Sequence, residues 1–348
     1  MAHRSIMMNI FILLFLVPFI AGCPEDVDPQ ANRTDTTSIS NLLPDPAGIP
    51  SFSAQAAYDH IAKQVTFGTR EPNSPGAQKA IAYYLEELGK YADEVRPQKF
   101  THTGYNGTLL NLTNIVASFN LQATTRILLC AHWDSRPRAD WDPDSSRQNQ
   151  PILAANDGGS GVGVLLELAR ILKENSQPIG IDILLFDGED YGHSRIDGTQ
   201  QYFLGSRYFS QNLPAGYQPI FGMLLDMVGD KDAEFPKEGH SMQYASAVVE
   251  KIWSAAAHLG LSKFKQRYGS SIEDDHLMLN QIARIPTIDI IDTDLVGHNS
   301  PDPRRRYWHT HKDTMDNIGV ETLEQVGKLL VYTIYKLIPA ELNQTQPS

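Results

Sequence analysis

Five short apolar runs, at 114–119, 126–131, 181–186, 221–227 and 287–291, have strand length and are almost unbroken in hydrophobicity. Continuous rather than alternating apolar runs are expected of central strands covered on both faces. Between them the spacing turns helical. Residues 77–88 bring Ile81, Tyr84, Leu85 and Leu88 onto one face, and 161–172 do the same with Val164, Leu165, Leu168 and Leu172. Further helices are expected at 241–259 and 321–337. Strands alternating with helices predict an α/β fold with a mostly parallel sheet, and no internal repeat interrupts the pattern.

Polar residues cluster where these runs end. His132 and Asp134 follow one run, Asp187, Glu189 and Asp190 follow the next, and Asp226 closes a third. In open α/β sheets ligands bind just beyond the carboxyl ends of the strands, so these groups are expected to converge in one crevice.

The N-terminus changes the domain picture. His3 and Arg4 precede an apolar stretch over 10–21 that is short for a membrane span, and residues 1–22 read as an export signal to be left out of the fold. Ile20-Ala21-Gly22-Cys23 resembles the lipobox of bacterial lipoproteins, which implies lipidation of Cys23 and anchoring of the exported chain to a bacterial membrane. Residues 23–50, rich in Pro, Asp, Asn, Ser and Thr, read as a flexible tether. That leaves 51–348 as a single catalytic domain. Cys130 is the one other cysteine, so an internal disulfide is not expected within that domain. Its apolar surroundings predict a buried, inert thiol.

Composition adds one exclusion. A net charge of -12 argues against nucleic acid as a partner. The single basic run, Arg304 to Arg306, reads as a solvated loop.

Four or five carboxylates meeting at a sheet edge repel one another unless a cation sits among them. Imidazole together with carboxylates, and no cysteine pair, suits zinc better than calcium or magnesium. A catalytic zinc needs three protein ligands and an open position.

The segments Ala131-His132-Trp133-Asp134-Ser135, Asn156-Asp157-Gly158, Phe186-Asp187-Gly188-Glu189-Asp190, Leu225-Asp226-Met227, Asp274-Asp275-His276 and Trp308-His309-Thr310 occur in the order found in zinc aminopeptidase-like enzymes. Over 67–337 the chain resembles in particular the animal-type glutaminyl cyclases and their bacterial relatives. The resemblance implies a central mixed sheet and a zinc ion held by Asp157, Asp190 and His309. It further implies Glu189 as general acid/base, Asp226 and Asp274 as a hydrogen-bonded acidic pair beside it, and Trp308 on the substrate wall. The implied reaction converts an N-terminal glutamine of a peptide or protein into pyroglutamate with release of ammonia. One zinc and a monomer are expected.

Two features leave an alternative open. His132 and Asp226 match positions that complete a second metal site in two-zinc aminopeptidases of this fold, with Asp157 bridging, so removal of N-terminal residues by a one- or two-metal peptidase is the second reading. His132 is otherwise expected to contact substrate. In addition, residues 191–200 hold no tryptophan, although the animal cyclases carry one there that shapes the pocket.

Overall fold

A computed structural model describes residues 43–193 and 198–345. The expected signal segment and Cys23 lie outside the described residues.

Among the described residues eight strands are formed: β1 (Glu94–Thr103), β2 (Leu109–Phe119), β3 (Arg126–His132), β4 (Gly180–Phe186), β5 (Gly222–Leu225), β6 (Phe235–Lys237), β7 (Phe264–Tyr268) and β8 (Thr287–Ile290). The α-helices are α1 (Ala54–Val65), α2 (Pro75–Tyr91), α3 (Gly159–Glu174), α4 (Leu204–Gln211), α5 (Gly239–His258), α6 (Asp275–Met278), α7 (Val320–Tyr332) and α8 (Ile338–Thr345). Six strands make the main sheet in the order β1-β2-β4-β3-β5-β8, and β6 and β7 form a separate pair. β4, β3, β5 and β8 run parallel, whereas β2 joins β4 and β1 joins β2 antiparallel. The sheet is therefore mixed and mostly parallel.

Period-two geometry assigns the strand residues to two cores. Ile127, Leu129 and Ala131 of β3 face a large core shared with residues of α1, α2, α3, α5 and α7. Leu128 and Cys130 face the other side, against Phe209 of α4, Leu279 and Ile285. Cys130 is fully buried, and burial pushes its thiol well above the usual range, so it is the inert core residue that its sequence context predicts.

The helices begin where local chemistry allows. Ser74 caps α2 by accepting from the Ala77 N–H at 2.9 Å, with Pro75 in the first turn. α3 lies so close to the sheet that a Cβ on Gly161 would meet the Leu225 carbonyl oxygen at 2.1 Å. Only glycine permits that approach, which seats the start of α3 over the end of β5.

Five features differ from the sequence pattern. β2 starts at Leu109 rather than 114, and the edge strand β1, exposed or half-exposed throughout, carries no apolar run to announce it. Residues 333–337, expected as the end of the last helix, form a π turn. Leu43 and Ile49, within the expected tether, pack on the large core, and the Pro44 carbonyl accepts from the Tyr332 hydroxyl at 2.7 Å. The solvated-loop reading of the arginine run holds for Arg304 but not for Arg305. Arg305 is nearly buried, pairs with Asp230 at 3.3 Å and also binds Asp292. Both carboxylates are buried in loops beyond β5 and β8 and need a cation.

Candidate active site

The parallel strands all end on one edge, and the crevice expected from sequence is there. His132 ends β3, the Asp187-to-Asp190 turn follows β4, and Asp226 follows β5. Asp157 sits just ahead of α3, and Asp274 is the N-cap of α6, accepting from the Asp275 N–H at 2.5 Å. His309 comes from the loop between β8 and α7 and holds a left-handed backbone at φ 54°.

Backbone donors fix these turns. Both oxygens of buried Asp134 accept from the turn after β4, Oδ1 from the Glu189 N–H at 3.1 Å and Oδ2 from the Asp190 N–H at 3.2 Å. Asp313 does the same for the other side, accepting from the N–H groups of Asn156 at 2.8 Å and Asp157 at 3.1 Å. Burial, reinforced by nearby Asp157, raises the Asp313 carboxyl to about 7.

Asp157, Asp190 and His309 each offer a ligand atom, all lying within 4.8 Å of one another. The His309 Nε2 atom is 3.5 Å from Asp157 Oδ2 and 3.4 Å from Asp190 Oδ1. Asp157 Oδ2 and Asp190 Oδ2 are buried without a hydrogen-bond partner, which is costly unless something polar fills the gap. Burial, and next the cationic Arg136, hold the His309 imidazole well below its usual range, leaving the neutral form that a metal requires. A nitrogen and two carboxylates with orphaned oxygens fit zinc.

His132, Asp157 and Asp226 form a second group of the same kind. Here the imidazole is already engaged: His132 Nε2 hydrogen-bonds Asp157 Oδ1 at 3.0 Å and lies 3.3 Å from Asp226 Oδ1. His132 is 1% exposed and sits beneath the two carboxylates rather than on the cavity wall. Its ring nitrogens face carboxylates, Nδ1 at 3.4 Å from Asp134 Oδ1 and Nε2 bonded to Asp157.

A cavity of about 430 Å³ opens over the first group, with Glu189, Asp226, Asp274 and Trp308 on its wall. Burial drives the carboxyls of Glu189, Asp226 and Asp274 upward, and crowding by Asp190, Asp157 and Asp226, respectively, adds to it. That mutual repulsion is the electrostatic demand for a cation. Asp226 and Asp274 are neighbours, Asp226 opposing the ionisation of Asp274, and Asp226 Oδ1 and Asp274 Oδ2 are both buried oxygens that receive no protein N–H or O–H. Asp274 spends its other oxygen on capping α6, so only its free oxygen faces the cavity group.

Sequence reasoning missed Arg136, Asp140 and Trp141, all on the cavity wall. Arg136 is buried, donates to Asp190 Oδ1 at 2.5 Å and forks onto both oxygens of Asp140 at 2.7 Å. Asp140 Oδ1 in turn stands 3.7 Å from His309 Nδ1. The ion pair thus braces one candidate metal ligand, Asp190, and places a carboxylate near a second, His309. Two arginines directly after the Asp134 turn, in an acidic chain, were the available signal. The wall left open by the missing tryptophan is built by Tyr202 and Phe203 and, from the opposite loop, by Trp141; residues 194–197 lie outside the described residues.

Comparisons with known proteins agree with this geometry. The model of peptidase family M28 matches residues 114–334. The chain is 44% identical to a glutaminyl cyclase of known structure from Tannerella forsythia, covering 82% of this chain and 99% of that one with a TM-score of 0.78. It is 41% identical to a structure described as a Zn-dependent exopeptidase from Parabacteroides distasonis, covering 83% and 99% with a TM-score of 0.79. The glutaminyl-peptide cyclotransferase of Bos taurus is 26% identical over 297 residues, 75% of this chain and 76% of that one. With more than half of its length matched by the family model and a cyclase of 44% identity covered almost end to end, the chain belongs to peptidase family M28, among its glutaminyl cyclases.

Proposed function

We propose that the chain is a zinc-dependent glutaminyl-peptide cyclotransferase, carried above all by one observation: the cup formed by Asp157, Asp190 and His309 opens into a cavity that has Glu189 on its wall. Asp157, Asp190 and His309 would hold a zinc ion, and when bound that ion would supply Lewis-acid polarisation of a carboxamide oxygen. Glu189 takes a proton from the α-amine as that nitrogen bonds to the carboxamide carbon. It then gives the proton to the departing nitrogen, so that one C–N bond forms, one breaks and ammonia leaves. Asp134 holds Glu189 and Asp190 in register through their backbone N–H groups. Because nucleophile and electrophile belong to one residue, the cavity wall, including Trp308, chiefly holds the folded-back conformer and excludes water. Burial first, and then the charges of Asp190 and Asp274, push the Glu189 carboxyl upward, toward the basicity that accepting a proton needs.

The test is incubation of the zinc-loaded protein with a Gln-initiated and a Leu-initiated peptide. Ammonia from the first supports the proposal, and free leucine from the second supports a metallo-aminopeptidase. That second reading draws on the group of His132, Asp157 and Asp226. The hydrogen bond between His132 and Asp157 favours a single ion instead, with Asp226 free of metal. Asp226→Ala is then expected to leave metal content near one per chain in elemental analysis. A wild-type second ion that vanishes in this variant overturns the one-zinc assignment.

The same proposal places the enzyme outside the cytoplasm as a monomer, anchored through lipidated Cys23; the support is the Ile20-Ala21-Gly22-Cys23 sequence. Cys23→Ser is expected to move the protein from the membrane to the soluble fraction and to abolish labelling by a fatty acid. Unchanged labelling removes Cys23 as the anchor.

A further inference from the structure

Asn156 is fully buried, and both polar atoms of its side chain are bonded. Its Oδ1 accepts from the Gly229 N–H at 2.8 Å, and its Nδ2 donates to the Tyr307 hydroxyl at 3.0 Å. That hydroxyl donates to Asp230 Oδ2 at 2.6 Å, and Arg305 stands 3.3 Å from the other oxygen of Asp230. The polarity of this chain is set from its charged end. A carboxylate paired with an arginine only accepts, so the Tyr307 hydroxyl aims its proton at Asp230 and turns a lone pair to the Asn156 amide. The amide oxygen is thereby left to face Gly229, where a Cβ would come within 3.0 Å of it.

Three loops that carry the site meet in these contacts. Asn156 directly precedes Asp157, Gly229 follows Asp226 in the loop after β5, and Tyr307 stands just ahead of Trp308 and His309. The Tyr307 carbonyl also closes the turn that presents His309, accepting from Thr310 through its N–H at 3.1 Å and its hydroxyl at 2.6 Å. On the far side of His309, Asp313 holds the backbone of Asn156 and Asp157, so the His309 loop is clasped to the Asp157 loop at both ends. We propose that Asn156 and Tyr307 are positioning residues for the metal: they keep Asp157 and His309 at ligand spacing while neither belongs to a candidate ligand group. Ligand distances must hold within about 0.2 Å, so a small shift of either loop costs affinity before it costs the fold. The inference rests on Asp157, Asp190 and His309 as the ligand set, and it applies to a cyclase and a peptidase alike.

The experiment measures the zinc affinity of the full chain by competition with a chromogenic chelator. Tyr307→Phe removes one hydroxyl, and about a tenfold loss of affinity is expected, the scale of groups that orient ligands. Tyr332→Phe, which removes the hydroxyl bonded to the Pro44 carbonyl, is the control and keeps wild-type affinity. Asn156→Ala loses about tenfold or more, and adding Tyr307→Phe to it lowers affinity no further, because Tyr307 acts through Asn156. Wild-type affinity in Tyr307→Phe overturns the inference. So does an equal loss in Tyr332→Phe, which reduces the effect to general destabilisation, and so do losses that add in the double variant. Where circular dichroism finds Asn156→Ala unfolded, the two tyrosine variants decide alone. Wild-type affinity in Asp157→Ala removes the ligand set and the inference with it, an outcome distinct from zinc lost in Asp157→Ala but retained in Tyr307→Phe.

Discussion

Glu189→Gln keeps its zinc and loses at least about two orders of magnitude in turnover, the usual contribution of a positioned acid/base. The amide preserves the shape and the backbone bond to Asp134, so the turn after β4 stays in place. What disappears is the ability to receive the amine proton and return it to the leaving nitrogen. Glu189 belongs to neither group of candidate ligands, so metal content measures the integrity of the site independently of rate. Equal zinc with near-normal turnover of a Gln-initiated peptide would remove Glu189 from its assigned role.

Asp157→Ala has the opposite signature, because metal goes first and activity follows. Asp157 is common to both candidate ligand groups, and its removal leaves His309 and Asp190 as an incomplete set. Partners behind ligands typically contribute 10- to 100-fold in affinity, so loss of a ligand itself is expected to exceed about a hundredfold. Chelator competition on the purified variant reads this directly, with circular dichroism confirming that the sheet persists. Zinc retained at wild-type affinity would mean that the ligand set is wrong.

The central strands were legible because burial on both faces demands unbroken apolar runs, and the site was legible because its carboxylates sit where those runs stop. The edge strand β1 escaped since it pairs with one strand only and its inner face, with Val95 and Phe100, is only partly buried, so no unbroken apolar run encodes it. Asp274 has a further role, capping α6 through one oxygen, that no sequence spacing announces. Residue type does not reveal depth: His132 is buried among Asp134, Asp157 and Asp226 and is absent from the cavity wall. Arg136, Asp140 and Trp141 lie in an irregular loop whose path no periodicity announces. Their roles emerge only when the loop folds against His309.

That loop has a consequence for engineering the enzyme. Within a few residues it supplies the Arg136 that braces Asp190, the Trp141 ring whose backbone N–H holds the His309 carbonyl, and the Asp142 latch to His311. Selectivity and metal retention are thereby mechanically linked on this side of the cavity. A library built on residues 136–142 should yield variants that change preference and shed zinc together. The opposite wall carries no such linkage: Ile272 and Glu273 line the cavity just ahead of the Asp274 cap and outside both ligand groups. Randomising those two positions is the route to new substrate ranges in an enzyme that stays metallated.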